Sequence, residues 1–462
     1  MSDFEDRSTE ELKQQLLELH RELARRAGGE DSDLSSMELS LESESLELRH
    51  LALQERLDAH PKEDGRPKRC PKCGKSVRVK SRFRERTLET LSGRVRYARD
   101  YYYCAHCSLG FYPRDEVLGV PANGSVSREL EKRLLDFGIN DSYEHAAERW
   151  NFHYSNEVSS NLMRRVVDRV GELMDSCHEA AIHHETKTVC CDPPELLVVQ
   201  NDGGMVPLRG DEPWKEAKLA AIFRAEHHNP RNGKKRGTIS QTRYVGVLGD
   251  QKEFRASLDI ALRMERGLKA KTAIWVADGA PGNWRLADTL LPKAVQILDW
   301  CHAVEAAMVC GRQLLGETSP FLELWKETVE RHLMAGELEV LLEELEALRF
   351  LASKSQRKPI KDLQRYYRNN AERMDYPRYL AQGWLIGSGI VESAHRHVIQ
   401  RRMKNAGQHW SISRGKTMVR LRAAYQTAGC TWFHQALYRA RKLTKAGKIP
   451  TFGPIKRRAS NR

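Results

Sequence analysis

Residues 196–204 read Leu-Leu-Val-Val-Gln-Asn-Asp-Gly-Gly, and residues 273–279 read Ala-Ile-Trp-Val-Ala-Asp-Gly. Each is a short apolar run, the first ending at Gln200-Asn201-Asp202-Gly203 and the second at Asp278-Gly279. Runs of this length fit strands covered on both faces, and glycine beyond them leaves room for a close backbone or ligand. Open α/β sheets present polar groups where such strands end. Asp202 and Asp278 are therefore candidate site residues, although either aspartate alone also fits an ordinary turn or helix cap.

Outward from these runs, Leu219–Phe223 and Tyr244–Leu248 read as strands and Lys252–Glu265 as a helix. Pro281 opens another helix, and Ala294–Leu298 is a further strand. Strands first, then strand-helix alternation, predict a mixed sheet covered by helices over residues 189–300. Residues 301–382 carry almost no strand signal and read as an all-helical insertion, with helices at Phe321–Ala335 and Glu337–Leu351. The chain resumes over residues 383–425. There Ile390–Lys404 is expected to be one helix, with Val391, Ala394 and Val398 toward a core and Glu392, His395, Arg396 and Ile399 on an adjacent face. Glu392 is either a third site acid or an ion-pair partner of Arg396.

The first half has a different character. Thr9–Arg26 carries Leu12, Leu16, Leu19 and Leu23 at helical spacing behind an N-cap signal, a stripe that either pairs two chains or docks on its own domain. The acidic run from Gly28 to His60 fits helix or disorder, and Pro61–Pro67 reads as a linker. Cys70-Pro-Lys-Cys73 and Cys104-Ala-His-Cys107 bracket a β-rich stretch with a hairpin turn at Ser92-Gly93. Four thiolates in two such knuckles suit a closed, structural zinc site. Arg82, Arg84, Arg86, Arg94 and Arg96, interleaved with Phe83, Tyr97 and Tyr101–Tyr103, suit phosphate contacts plus stacking. The rival is a protein-docking ribbon with a solvated basic face. Glu129–Phe137, Asp141–Trp150 and Asn156–Met174 are three helices, laid out as a helix-turn-helix or as a plain spacer. Cys177, Cys190, Cys191, Cys301, Cys310 and Cys430 lack ligand spacing and read as buried small hydrophobes.

The net charge of +13 is unevenly spread: residues 1–60 hold 16 acids against 7 Lys/Arg, whereas residues 401–462 hold 16 Lys/Arg and no acid. That density calls for a polyanionic partner, foremost nucleic acid. No apolar stretch is long enough for a membrane helix and the N-terminus lacks signal-peptide order, so a cytoplasmic, nucleoid-associated protein without a membrane is expected.

The segments NDGG at 201–204, VADGAPGNW at 276–284, LDWCH at 298–302 and GSGIVESAHRHVIQRRMKNAGQHWS at 387–411 resemble the bacterial insertion-sequence transposases of the Kra type, relatives of the Mutator-like superfamily. The resemblance implies an RNase H-like core with a catalytic triad of Asp202, Asp278 and Glu392. The triad would hold two magnesium ions, with manganese as a substitute, and Asp299 and His302 would organise the site from behind. It further implies a DNA transposase that cuts element ends and joins them to target duplex as a homo-oligomer. Arg396, Arg401, Arg402 and Lys404 would hold the DNA backbone, while Trp410 stacks on an unpaired base or packs in the core. Two other functions stay open: a non-catalytic zinc-ribbon DNA-binding regulator and a structure-specific RNase H-like nuclease.

The expected fold is thus multidomain α/β. An N-terminal helical region (1–66) is followed by a β-rich zinc ribbon (67–116) and a helix-turn-helix-like region (117–188). An RNase H-like core (189–300 and 383–425), interrupted by the helical insertion (301–382), precedes a basic tail (426–462).

Overall fold

The computed structural model describes residues 8–27, 33–121, 124–183, 192–211, 213–225, 239–427 and 429–445. The chain divides into two units, residues 1–137 with 143–163, and residues 138–142 with 164–462. Cys190 and Cys191 and the last part of the basic tail lie outside the described residues.

In the first unit, Thr9–Ala27 (α1) opens with a capping box in which the Ser8 amide donates to Glu11 Oε2 at 2.7 Å and the Glu11 amide to Ser8 Oγ at 3.3 Å. The acidic run is helical over Leu34–Ala59 (α2), capped by Asp33. Lys68–Arg69 (β1) pairs with Ser76–Val77 (β2), and Val79–Thr90 (β3) and Gly93–Cys104 (β4) form the expected hairpin, joined by Leu109–Phe111 (β5). One small core packs Leu53 and Leu57 of α2 against Leu88, Val95 and Tyr97 of the hairpin. Pro113–Val117 (α3), Arg128–Asn140 (α4) and Tyr143–His153 (α5) follow, while the last residues of α4 and most of Ser160–His183 (α6) belong to the second unit. Gly138-Ile139-Asn140, expected as a break, continues α4. Burial of Ile139, which is 0% exposed, outweighs the cost of about 1 kcal/mol for a helical glycine.

The second unit is a mixed sheet with helices. Leu196–Pro207 (β6), Trp214–Ala225 (β7) and Ile239–Val247 (β8) come first, then Gln251–Met264 (α7), Thr272–Ala277 (β9), Pro281–Leu290 (α8) and Val295–Leu298 (β10). The order is β10-β9-β6-β7-β8, with β6–β7 and β7–β8 antiparallel and β6–β9 and β9–β10 parallel. β6 is buried over its first six residues and alternates only afterwards, as a central strand must. Asp202 corrects one expectation. It is not at the end of its strand, because the antiparallel partner β7 carries β6 on to Pro207. The parallel pairing, however, ends at Asn201–Ala277, so Asp202 and Asp278 are the next residues along two neighbouring strands.

Beyond β10 the described residues up to Gly383 form no strand. Trp300–Leu315 (α9), Leu322–Ala335 (α10), Leu338–Leu351 (α11), Arg357–Asn370 (α12) and Tyr376–Ala381 (α13) make up the helical insertion. The single helix expected over Ile390–Lys404 is broken into Gly389–Ala394 (α14), a π-helical turn at His395–Gln400, and Arg401–Met403 (α15). The wider turn changes the register. Val391, Ala394 and Val398 are buried as expected, but so are His395 and Ile399, at 7% and 0% exposure. Ile412–Gln426 (α16) packs on β8, and Cys430–Lys445 (α17) gives the start of the tail a helical form. No helix among the described residues is long and apolar enough to cross a membrane.

Candidate functional site

Asp278 is held by the start of α8. Its Oδ1 accepts from Asn283 Nδ2 at 2.6 Å and from the Ala280 amide at 3.0 Å. Asn283 is held in turn, its Oδ1 accepting from Asn201 at 2.8 Å, while Asn201 Oδ1 accepts from the Trp275 indole at 2.8 Å. A chain of buried polar groups thus ties the carboxylate to the interior of β6 and β9. Gly279 is required by close approach, since a Cβ there would collide with the ring of Tyr366. Burial pushes that phenol up to about 12 with help from the charges of Asp278 and Asp299, against a hydrogen bond from Gly279.

Asp202 faces the same cleft, of about 180 Å³, lined also by Gly203, Glu216, Lys218, Asp278 and Asn283. Its Oδ1 accepts from the Gly203 amide at 2.7 Å, and its Oδ2 lies 3.4 Å from His395 Nε2. His395 is held below its ordinary value by burial, with Asp202 pulling the other way. Sequence reasoning placed His395 on the face of Glu392 without a role; the π-helical turn makes it a neighbour of Asp202.

Glu392 enters from the far end of the chain. Gln200 on β6 donates to the Gly387 carbonyl at 2.8 Å and accepts from the Ile390 and Val391 amides at 3.2 and 3.1 Å, pinning the start of α14 to the central strand. Ser388 Oγ donates to Glu392 Oε1 at 2.8 Å. Glu392 does not ion-pair with Arg396 among the described residues. Its carboxylate, the Asp299 carboxylate and the Cys301 thiol lie within 4.8 Å of one another, a group that could hold a metal ion. Cys301 corrects an expectation here: it is exposed, because it follows the helix-capping Asp299 at the site's edge rather than facing the core.

Asp299, fully buried, acts as a bracket. Its Oδ1 accepts from the Ser388 amide at 2.6 Å, and its Oδ2 accepts from the His302 amide at 2.9 Å and faces His302 Nδ1 at 2.7 Å. Three donors hold that carboxylate in place and join β10, α9 and the loop before α14. The hydrogen bond to Asp299 raises His302 above the ordinary histidine value, against burial, and the charges of Asp202 and Asp278 add to the shift. Each histidine thus meets one of these acids directly, His302 facing Asp299 and His395 facing Asp202.

The four knuckle cysteines converge in the first unit. Sγ atoms lie 3.7 Å apart for Cys70–Cys107 and Cys73–Cys104 and 3.6 Å for Cys104–Cys107. Four sulfurs within 4.8 Å of one another form a candidate metal centre. Burial opposes ionisation of Cys70, but amides of Cys73 and Lys72 donate to it and bring it down to about 6, whereas hydrogen bonding with Cys73 and burial push Cys107 up to about 12.

The basic residues separate into two kinds. Arg82, Arg84, Arg94, Arg96, Arg396, Arg401 and Lys404 are exposed. Arg86 and Arg402 are buried, and both correct the expectation of DNA contact. Arg86 donates to Asp115 at 2.5 Å and to the Pro121 and Gly124 carbonyls, while Tyr97 donates to the same aspartate at 2.7 Å. Arg402, 0% exposed, donates to the Gly138 carbonyl at 3.4 Å and lies 4.9 Å from the Trp410 ring centre. Trp410 is 5% exposed and bridges to Leu208 beyond β6, so its indole packs in the core. Alternating charge along a strand or helix does not reveal which cations find buried carbonyls.

A family profile described as "Uncharacterised protein family (UPF0236)" matches residues 47–438. The chain belongs to this family. Two UPF0236 proteins of Caldanaerobacter subterraneus subsp. tengcongensis are each 23% identical to it over 384 residues. The matches cover 82% of this chain and 74% and 75% of those relatives. The name of the first joins eleven locus numbers.

Proposed function

We propose that this chain is a DNA transposase of the insertion-sequence type, cutting element ends and joining them to target DNA at Asp202, Asp278 and Glu392. The observation that carries the reading is that Asp202 and Asp278 follow the last paired residues of two parallel strands and share a cleft, while Gln200 ties the helix of Glu392 to the first of those strands. A sheet whose first three strands are antiparallel and whose fourth and fifth add in parallel beside the first supports an RNase H-like core. The eleven loci in one relative's name suit a repeated, mobile gene.

The carboxylates fit hard divalent cations. Each is oriented through one oxygen: Asp202 Oδ1 by Gly203, Asp278 Oδ1 by Asn283 and Ala280, and Glu392 Oε1 by Ser388. Among the described residues no hydrogen bond reaches Asp278 Oδ2 or Glu392 Oε2, leaving an oxygen for a ligand. Two magnesium ions, or manganese in their place, would supply activation of the attacking oxygen and neutralisation of the leaving one. The protein's own part is positioning. Asn283 and Ser388 fix the carboxylates, while the exposed Arg396, Arg401 and Lys404 beyond Glu392 supply positive charge for the DNA backbone.

The cysteine cluster is assigned to structural zinc. Tetrahedral ligands about 2.3 Å from a zinc ion stand about 3.8 Å apart, close to the sulfur spacing here. The ribbon and the helices α4–α6, read as helix-turn-helix-like, would bind duplex DNA. The leucine stripe of α1 would pair chains, in a cytoplasmic, nucleoid-associated assembly that brings two ends together.

The test is a cleavage and strand-transfer assay with magnesium on end DNA of the element that encodes the chain. Asp202→Asn, Asp278→Asn and Glu392→Gln should each abolish both steps while leaving DNA binding intact. Full activity in any of the three would sink the assignment. Cleavage without joining would turn the reading toward a nuclease.

A further inference from the structure

Phe83 stands out on the hairpin of the first unit. It is 60% exposed and has φ +51°, a left-handed conformation that bulky side chains avoid. It lies where the β3–β4 register slips between Ser81 and Arg84, so the ring belongs to a bulge rather than to a regular face. The conformation is held from below. The Phe83 amide donates to Oδ1 of Asp100 at 3.1 Å, and Asp100 is 1% exposed. Backbone strain of this kind persists only where neighbouring structure enforces it, and it gathers at functional positions.

The surroundings are cationic. Lys80, Arg82 and Arg84 are exposed along the same strand and Arg78 just before it, against one exposed acid, Glu85, between Val79 and Arg86. The Arg82 guanidinium lies 4.5 Å from the Phe83 ring centre, Arg84 lies 4.6 Å from Tyr101, and Lys80 lies 4.6 Å from the exposed Tyr103. A protein partner would ask for an apolar patch around the ring, yet its strand neighbours on both sides are arginines. An aromatic face between cations suits a nucleobase with its flanking phosphates.

We propose that Phe83 is a stacking wedge for an unpaired or unstacked DNA base, with Arg78, Lys80 and Arg84 taking the flanking phosphates while Arg82, 3.4 Å from Asp100 Oδ2 and donating to the Glu63 carbonyl at 3.2 Å, braces the bulge. The proposal rests on the reading of the chain as a DNA-processing protein and adds a base-contacting residue outside the acidic site. Side chains used in this way intrude on a base step and hold the duplex locally open.

The experiment uses the full chain with a short oligodeoxynucleotide that carries a fluorescent base analogue, offered single-stranded and as a duplex with one unpaired position. The wild type should bind and quench the analogue. Phe83→Gly relieves the positive φ, so it should fold at least as stably and retain its bound metal, yet it should lose the quench and bind roughly ten- to a hundredfold more weakly. Phe83→Trp should keep both. Arg84→Ala should flatten the salt dependence of binding by about one unit while keeping the quench. A Phe83→Gly variant that binds and quenches like wild type overturns the wedge and leaves the transposase reading standing. A wild type that binds neither oligonucleotide overturns both.

Discussion

Asn283 has no chemistry of its own, yet Asp278 depends on it. Its amide takes one oxygen of the carboxylate at 2.6 Å and is itself held through Asn201 by the Trp275 indole. Asn283→Ala should therefore lower magnesium-dependent cleavage by about 10- to 100-fold, the usual cost of losing a group that orients a ligand. Far-UV circular dichroism should stay unchanged, and raised manganese should recover part of the loss. An unaltered rate would show that Asp278 needs no such support. A second residue governs stability. His178 meets Ser257 Oγ at 3.2 Å, and burial, helped by Arg420, depresses it to about 4. Its folded value lies below its unfolded one, so between those values the unfolded chain binds the extra proton and the fold loses stability as pH falls. The free energy of unfolding read from denaturant melts should drop from pH 7 toward pH 4 by an amount on the order of 3 kcal/mol, and His178→Gln should flatten that slope. Asp202 and Asp278 could be picked out as candidates in sequence because each follows an apolar run and precedes a glycine. Asn283 and His178 could not, since their partners come from other elements.

The turn that carries His395 shows what sequence period conceals at the level of elements. A 3.6-residue reading of Ile390–Lys404 finds the buried Val391, Ala394 and Val398, but it cannot foresee the π-helical turn at His395–Gln400 that buries His395 and Ile399 as well. Such widened turns gather at functional sites. Here the turn sets His395 against β6, where a Cβ on Gly204 would approach its Nδ1 to 2.8 Å. Gly204→Ala should accordingly cost about 1–3 kcal/mol by overpacking and impair cleavage. Adding His395→Ala should restore the stability without the activity, a result a thermal-melt cycle would read directly. If the two losses simply add, the contact is not what matters. The mixed sheet was legible from its apolar runs, whereas the extension of β6 past Asp202 was not, because it depends on pairing with β7. The hairpin was announced by its knuckles and the Ser92-Gly93 turn. Its small core, with Leu88, Val95 and Tyr97, is too slight to hold alone. If the cysteine cluster holds a structural metal as proposed, Cys104→Ser or a strong chelator should remove it and strip hydrogen-exchange protection from β3, β4 and β5, while β6, β7 and β9 keep theirs. Protection of the hairpin after complete metal loss would remove the structural role.

Across the whole molecule, the +13 charge suits the proposed nucleic-acid partner but does not say which cations would meet it. Exposure divides them. Arg84, Arg94, Arg96, Arg396, Arg401 and Lys404 can give up water for phosphate, whereas Arg86 and Arg402 spend their hydrogen bonds on buried partners of their own chain. The two kinds should separate in a salt titration of DNA binding. Each phosphate neutralised contributes about −0.9 to the slope of log affinity against log salt, so Arg96→Ala or Arg401→Ala should make the slope shallower by about one unit and leave the melting temperature nearly unchanged. Arg86→Ala should do the reverse. It leaves the buried Asp115 with Arg99 alone as its cation and strands the Pro121 and Gly124 carbonyls, a loss of about 3 kcal/mol, while the protein that remains folded keeps the wild-type slope. Arg86→Lys should rescue little, because one ammonium cannot span the carboxylate and two carbonyls that the guanidinium fork reaches together. If Arg86→Ala instead flattened the salt slope with an intact melt, the burial of that side chain would not hold in solution, and the division of the basic residues into phosphate contacts and internal struts would have to be redrawn.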